Sequence, residues 1–229
     1  MTVMNCDGRT VREINETLRR LLDGGERDIV VRRPGARHNL AVAVLTDARI
    51  VIDGPVGYYC GGMSDGAQIE IRGSAGWGVA ECLQSGTVIV DGDAGNGAAA
   101  SIRGGVVVVR GDAAARAGIA MKGGLLIVAG AAGYMTGFMM QRGTIIVCGD
   151  AADAVADSMY EGVVYVGGGI GDPGNDTVVS DASTDELVEI GVTLARYGVS
   201  IPDGFRKIVS GRRLWNYDAK ERDLWTGAL

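Results

Sequence analysis

The stretch Leu125-Leu-Ile-Val-Ala-Gly-Ala-Ala-Gly-Tyr-Met-Thr-Gly-Phe-Met-Met-Gln-Arg-Gly143 decides how the rest of the chain is read. It opens with an aliphatic run, passes through four glycines and carries a single charge, Arg142. The pattern returns at once as Thr144-Ile-Ile-Val-Cys-Gly-Asp-Ala-Ala152, 19 residues on. Traced outward, a leading glycine recurs at that interval as Gly54, Gly73, Gly92, Gly111, Gly130, Gly149 and Gly168. Three residues later the column reads Gly57, Gly76, Gly95, Ala114, Gly133, Ala152 and Gly171; four further on it reads Gly61, Ala80, Ala99, Gly118, Gly137, Ala156 and Asn175. A further glycine closes each unit, from Gly66 and Gly86 to Gly162.

Ahead of each leading glycine lies a short aliphatic run, from Arg49-Ile-Val-Ile-Asp53 to Val163-Val-Tyr-Val-Gly167. Its second position is always aliphatic (Ile50, Ile69, Val88, Val107, Leu126, Ile145, Val164), and so is its fourth (Ile52, Ile71, Val90, Val109, Val128, Val147, Val166). Side chains two apart on a strand share a face, so both columns point into one core. A single such unit cannot bury that face; stacked units bury it in aliphatic ladders. Helical repeats need longer units with a 3.6-residue pattern, and leucine-rich repeats need their Leu and Asn columns. The sequence therefore predicts an all-β chain: a single-stranded, right-handed parallel β-helix of about seven 19-residue coils over residues 47–180. The small-residue columns fit bends where φ is positive or backbones approach closely.

Composition agrees. The 229 residues are 47% hydrophobic and include 38 glycines but only 4 prolines, which excludes collagen and disorder. A net charge of −6 argues against nucleic acid as a partner, and one histidine disfavours zinc and triad chemistry. Cys6, Cys60, Cys82 and Cys148 form no metal or disulfide spacing, as expected of free thiols in a reduced cytoplasm. The charged N-terminus lacks the apolar core of a signal peptide, and the repeat accounts for the uncharged run 123–140, so no membrane association is expected.

The flanks read differently. Thr10 and Glu13 form a capping box for a helix over 10–23, and short strands are expected at Asp28–Arg33 and Leu40–Thr46; residues 1–46 then cap the solenoid. Ser183 and Glu186 open a second helix with Leu187, Ile190 and Leu194 on one face. With the basic, aromatic tail from Phe205 onward, it makes up residues 181–229. The third strand position (Val51, Ile89, Val108, Ile127, Ile146, Tyr165) should face outward yet is apolar except at Glu70. Such a stripe must be covered, by the chain's own ends or by another subunit.

Conventional site motifs are weak. Gly169-Ile-Gly-Asp-Pro-Gly174 satisfies G-x-G-x-x-G, but Pro173 precludes the helix that a dinucleotide site needs. Asp91-Gly-Asp-Ala-Gly-Asn-Gly97 lacks the closing Glu of a calcium loop. His38 has no nearby nucleophile, and Cys60 no basic partner. Asp53, Arg72, Asp91 and Arg110 share one strand column, the best patch for a carbohydrate-cleaving enzyme, and equally an ion-pair ladder. Two corners stand out instead. Tyr58, Tyr59 and Met63 crowd one, and Tyr134, Met135, Phe138, Met139 and Met140 another four coils away. With Trp215 and Tyr217 of the tail they are the candidate partner interface.

The intact coils Gly54-Pro-Val-Gly-Tyr-Tyr-Cys-Gly61 and Gly130-Ala-Ala-Gly-Tyr-Met-Thr-Gly137 resemble the GXGXG β-helix that ends the large subunit of glutamate synthase, a domain itself similar to one of the subunits of formylmethanofuran dehydrogenase. Gly57-Tyr-Tyr-Cys-Gly-Gly-Met63, Gly111-Asp-Ala-Ala-Ala-Arg116 and Gly149-Asp-Ala-Ala152 look most like the small subunit of N-methylglutamate synthase. The resemblance spans about residues 10–215, with alanine for glycine at Ala80, Ala99, Ala114, Ala152 and Ala156. It implies a non-catalytic scaffold that binds no cofactor or metal itself. The scaffold would bridge a glutamine amidotransferase-like subunit and a glutamate synthase-like subunit that binds FMN, often with an iron–sulfur cluster. In the N-methylglutamate version the complex joins methylamine to glutamate with loss of ammonia. An ammonia-producing or ammonia-using complex of the glutamate synthase type and an assembly of the formylmethanofuran dehydrogenase type are the alternatives that the resemblance leaves open.

Overall fold

The computed structural model describes residues 1–213. Its elements are β1 (Thr2–Asn5), α1 (Val11–Asp23), β2 (Asp28–Arg32), β3 (Arg49–Asp53), β4 (Gln68–Ile71), β5 (Thr87–Val90), β6 (Val106–Val109), β7 (Lys122–Val128), β8 (Arg142–Val147), β9 (Val163–Val166), β10 (Thr177–Asp181), α2 (Thr184–Arg196) and β11 (Arg206–Ser210). All the strands form one sheet in the order β1-β2-β3-β4-β5-β6-β7-β8-β9-β11-β10. Pairing is parallel from β1 to β9 and in register, so that Ile50, Ile69, Val88, Val107, Leu126, Ile145 and Val164 are successive Cα partners. This is a parallel β-helix, and both inward aliphatic columns are buried.

The ladder starts before the repeat becomes legible. β2 pairs with β3 across 21 residues rather than 19, with Asp28 opposite Arg49, so residues 28–48 form a coil of their own. The strand expected at Leu40–Thr46 is a run of turns in that coil. At the far end β11 enters antiparallel between β9 and β10 and ends the parallel stack. The start of the expected tail, Arg206 to Ser210, is thus a strand, with Arg206 paired to Asp181 at 3.1 Å. Trp215 and Tyr217 lie outside the described residues.

A second ladder faces the strands. Val56, Ala75, Ala94, Ala113, Ala132, Ala151 and Ile170 form one parallel bridge per coil, and the alanines are nearly all the side chain that this narrow side admits. Beyond it the backbone turns left-handed at every second residue, as at Gly78 (φ +68), Ala80 (φ +59) and Cys82 (φ +58). An L-residue there costs about 1–2 kcal/mol, so the conformation must be imposed by its surroundings. Stacking imposes it: Ala80 donates to the Cys60 carbonyl at 2.9 Å and Ala99 to that of Val79 at 2.9 Å. The same column must stay small because it faces the core. A Cβ on Gly118 would stand 2.5 Å from Ile145 Cδ1.

Side chains lock the register too. Ser74 Oγ accepts from the Asp93 amide, Asp93 Oδ1 from Asp112, and Asp112 Oδ1 from Ala131, each one coil on, at 3.1, 2.9 and 2.8 Å. At the strand ends Arg32, Asp53, Arg72, Asp91 and Arg110 alternate in sign from coil to coil. Arg110 meets Asp91 at 3.2 Å, while Arg72 and Arg49 meet Glu70 at 2.8 and 3.1 Å.

The outward apolar column is covered by the chain itself over four coils. Val108, Ile127, Ile146 and Tyr165 pack against Ile190, Leu194, Val199 and Phe205, from α2 and the segment after it. Leu187, expected on the buried face, is 37% exposed. A polar latch fixes α2: Tyr165 Oη donates to Glu186 Oε1 at 2.8 Å, and Lys207 Nζ donates to the same oxygen at 2.5 Å. Glu186 also caps its own helix through the Ser183 amide at 2.8 Å. These donors, Lys207 first, hold its carboxyl at about 2, below the ordinary 4.5.

The crowding between coils sets the cost of enlarging a glycine. A Cβ on Gly92 would collide with Ser74 Oγ and lie 2.9 Å from the Ser74 amide nitrogen; one on Gly130 would collide with Asp112 Oδ1 and lie 2.9 Å from the Gly111 carbonyl oxygen. Gly92→Val and Gly130→Val should each lower unfolding stability in urea by at least ~3 kcal/mol, whereas Gly97→Ala, with its nearest neighbour at 4.0 Å, should cost only about 1. Because the Glu186 pKa is depressed, its contribution is present above pH 4.5 and is lost as pH falls towards 2. Glu186→Gln should cost ~2 kcal/mol at neutral pH and flatten the acid limb of the stability profile.

Candidate functional site

The repeat places residues 19 apart above one another, and on one edge of the rod this gathers large side chains in solvent. Tyr58, Tyr59, Met63 and Trp77 are 39%, 47%, 56% and 53% exposed at one end of the edge; Tyr134 and Met139 are 48% and 41% exposed further along. His38, Tyr58 and Trp77 occupy equivalent positions in three successive coils and stack as a pile, with ring centroids 4.3 and 5.2 Å apart and interplanar angles of 23° and 14°. His38 Nδ1 accepts the Tyr58 amide at 2.9 Å, which fixes the base of the pile. Tyr134 lies in the same column, three coils beyond Trp77, or about 14 Å at 4.8 Å per rung.

Between the two clusters the edge is low. Asn96, Gly97 and Ser101, then Ala115 and Ala120, occupy the intervening coils, with Arg116 the exposed charge among them. Glu81, next to the Trp77 end, is partly buried, and desolvation raises its pKa. The arrangement is two aromatic and methionine knuckles flanking a shallow floor on a backbone held by coil-to-coil hydrogen bonds. Exposed aromatic and Met surface of this kind is characteristic of interface centres.

Met140 does not belong to this edge. Its side chain is fully buried in the core, where its methyl would stand 2.7 Å from a Cβ on Gly162. Met135 and Phe138 are half-buried. Trp77 was absent from the sequence-based set, although its position 19 residues after Tyr58 marks it as part of the same column.

The other motifs resolve into structure. Asp93 holds the next coil's amide. Gly169–Gly174 is a turn in which Ile170 bridges Ala151 and the Asp172 amide donates to Asp153 Oδ1 at 2.9 Å; no helix opens there. Of the column Asp53, Arg72, Asp91 and Arg110, Asp91 and Arg110 are ion-paired across one rung, whereas Arg72 pairs with Glu70 of its own coil. Among the described residues no three His, Cys, Asp or Glu side chains are grouped to hold a metal, and no helix is long and apolar enough to cross a membrane.

Cys60 offers a direct check on whether this edge carries a nucleophile. It lies beside Tyr59 but is fully buried, and burial pushes its thiol up to about 12. At pH 8 only about one Cys60 in 10⁴ should be a thiolate, so iodoacetamide should leave it unmodified in the folded protein and label it after denaturation.

No family model matches the chain. A stretch of 73 residues is 38% identical to Protein GlxC of Rhizobium meliloti (strain 1021). The match covers 31% of this chain and 32% of GlxC, about a third of that relative's length. A chain in the crystal structure of the formyltransferase/hydrolase complex (FhcABCD) from Methylorubrum extorquens, in complex with methylofuran, superposes with a TM-score of 0.54. That likeness covers 77% of this chain and 69% of the other at 23% identity, and establishes shared fold.

Proposed function

We propose that this chain is a non-catalytic scaffold subunit of a multi-subunit enzyme complex of the glutamate synthase type, with N-methylglutamate synthase as its specific assignment. The observation that carries this reading is the exposed Tyr58–Trp77 and Tyr134–Met139 edge on a rod where Asp91 and Arg110 are ion-paired and Cys60 is buried. A stack fixed by backbone hydrogen bonds presents large side chains at little entropic cost, which suits docking more than turnover. The sequence resemblance and the local identity to GlxC support the family reading. The fold shared with a chain of the formyltransferase/hydrolase complex supports a place in an assembly.

In this assignment the partners are a glutamine amidotransferase-like subunit and a glutamate synthase-like subunit that binds FMN and an iron–sulfur cluster. The four cysteines of this chain are too scattered in sequence to form a cluster-binding run, which is in keeping with redox groups held by the partner. The rod's role is to fix the distance and orientation between the two.

The test is co-expression with the two partner subunits and purification through a tag on this chain. Both partners and the flavin absorbance should co-purify, and Tyr134→Asp with Met139→Asp should reduce recovery of at least one partner about tenfold or more without loss of fold. Recovery of the tagged chain alone, or catalytic turnover by the isolated chain, contradicts the proposal.

A further inference from the structure

The aromatic edge is a trough with walls and a floor, and its dimensions select the kind of segment it can hold. Trp77 and Tyr134 stand on coils about 14 Å apart, and Asn96, Gly97, Ser101, Ala115 and Ala120 keep the two coils between them low. The Trp77 wall is fixed in place. Its indole stacks on Tyr58 and leans over Gly95, where a Cβ would stand 2.6 Å from the indole Cδ1.

The floor amides have no hydrogen bonds left to give. Gly97 donates to the Ala115 carbonyl at 2.9 Å and Arg116 to that of Tyr134 at 2.8 Å; Ser101 donates to Ile119 and Ala120 to Phe138, both at 2.8 Å. An extended segment laid across these coils would find the amides already used and, at about 4.8 Å across, would fill only about a third of the width. An α-helix satisfies its own backbone, and its diameter of about 10–12 Å fills the gap in a single layer. Small side chains on the floor let a helix axis approach closely.

Charge sets the direction of such a helix. Each floor coil enters the trough past an acid, Asp93 or Asp112, and leaves it past a base, Arg103 or Lys122, with Arg142 the Cα partner of Lys122 in the next coil. Arg116 is exposed on the floor between these ends, and Glu81 lies at the Trp77 wall, where its Oε2 would be 2.9 Å from a Cβ on Gly78. With the ion-paired Asp91 and Arg110, these are all the charges over residues 77–142. Among the described residues Arg103, Arg116 and Lys122 enter no ion pair. A helix is partly positive at its N-terminus and partly negative at its C-terminus. It therefore fits with its N-terminus towards Asp93 and Asp112 and its C-terminus towards Arg103 and Lys122. Arg116, midway, calls for a carboxylate from the helix itself.

We propose that the trough receives one α-helix of a partner subunit, laid across the rod with this polarity. The helix presents small or apolar residues to the floor and an acidic side chain to Arg116. The inference rests on the reading of this edge as a partner interface, and adds what the partner presents there.

Photo-crosslinking in the co-expressed complex tests it, with p-benzoylphenylalanine in place of Tyr134 and, separately, of Met139. Both positions should label a single partner segment, at residues three, four or seven apart. Labelled residues two apart, or on separate segments, overturn the helix. Filling the floor gives an independent readout. Ala115→Trp places an indole in the column that already carries Tyr58, Trp77 and Tyr134, so the coil should tolerate it, with unchanged far-ultraviolet circular dichroism. It should lower partner recovery about tenfold or more, and Arg116→Glu should lower it several-fold while Arg116→Lys retains most of it. Unchanged recovery with both Ala115→Trp and Arg116→Glu overturns the proposal. If Tyr134→Asp with Met139→Asp still releases the partner, only the helix inference fails; if that pair has no effect either, the interface reading fails with it.

Discussion

Every coil of this protein is held in a shape its own residues would not choose, by hydrogen bonds from the coils on either side. Alanine, cysteine, methionine and tyrosine all adopt left-handed backbone angles in the turns, at Ala80, Cys82, Met63 and Tyr59 among others. Each such residue is strained alone and satisfied only when a neighbouring carbonyl is in register, as when Tyr59 donates to Trp77 and Met63 to Glu81, both at 2.8 Å. Stacking is therefore cooperative: the strain of one coil is offset by its neighbours, and the ends need closing structures. α1 begins on a complete capping box near the first coil, and antiparallel β11 ends the stack at the last. The docking edge inherits its rigidity from this constraint, because its side chains stand on the same left-handed turns.

The repeat made most of this legible. Glycine spacing and paired aliphatic columns specified the coil length, the inward faces and the small-residue bends. Both helix starts were equally readable, since Thr10 with Glu13 and Ser183 with Glu186 form complete capping boxes. The first coil was hidden because its turn region contains Arg37-His-Asn-Leu40 where later coils have glycine and alanine, and because it is longer by two residues. Alternation over Leu40–Thr46 imitated a strand, whereas Ala41 and Ala43 are left-handed turn residues of that coil. The inserted strand β11 carried no periodic signal; its charged residues Arg206 and Lys207 concealed a central position between β9 and β10.

The candidate site was legible in part. Tyr58, Tyr59, Met63, Tyr134 and Met139 stand out against the small residues of other coils, and all five face solvent. Met140 was misassigned because neighbouring methionines in a tight turn alternate between outside and core, a distinction that composition does not carry. The apolar third strand position required a cover and left open whether the chain's own ends or another subunit supplied it; packing decides that Val108, Ile127, Ile146 and Tyr165 are sheltered by α2 and the segment after it.

The claim on which the functional account turns is that the aromatic edge is a contact surface in the working assembly. Electron cryomicroscopy of the complex purified through this chain tests it most directly. The account expects another polypeptide packed over Tyr58, Trp77, Tyr134 and Met139, with the rod itself unchanged. A complex in which those four side chains face solvent while the partners bind elsewhere contradicts it.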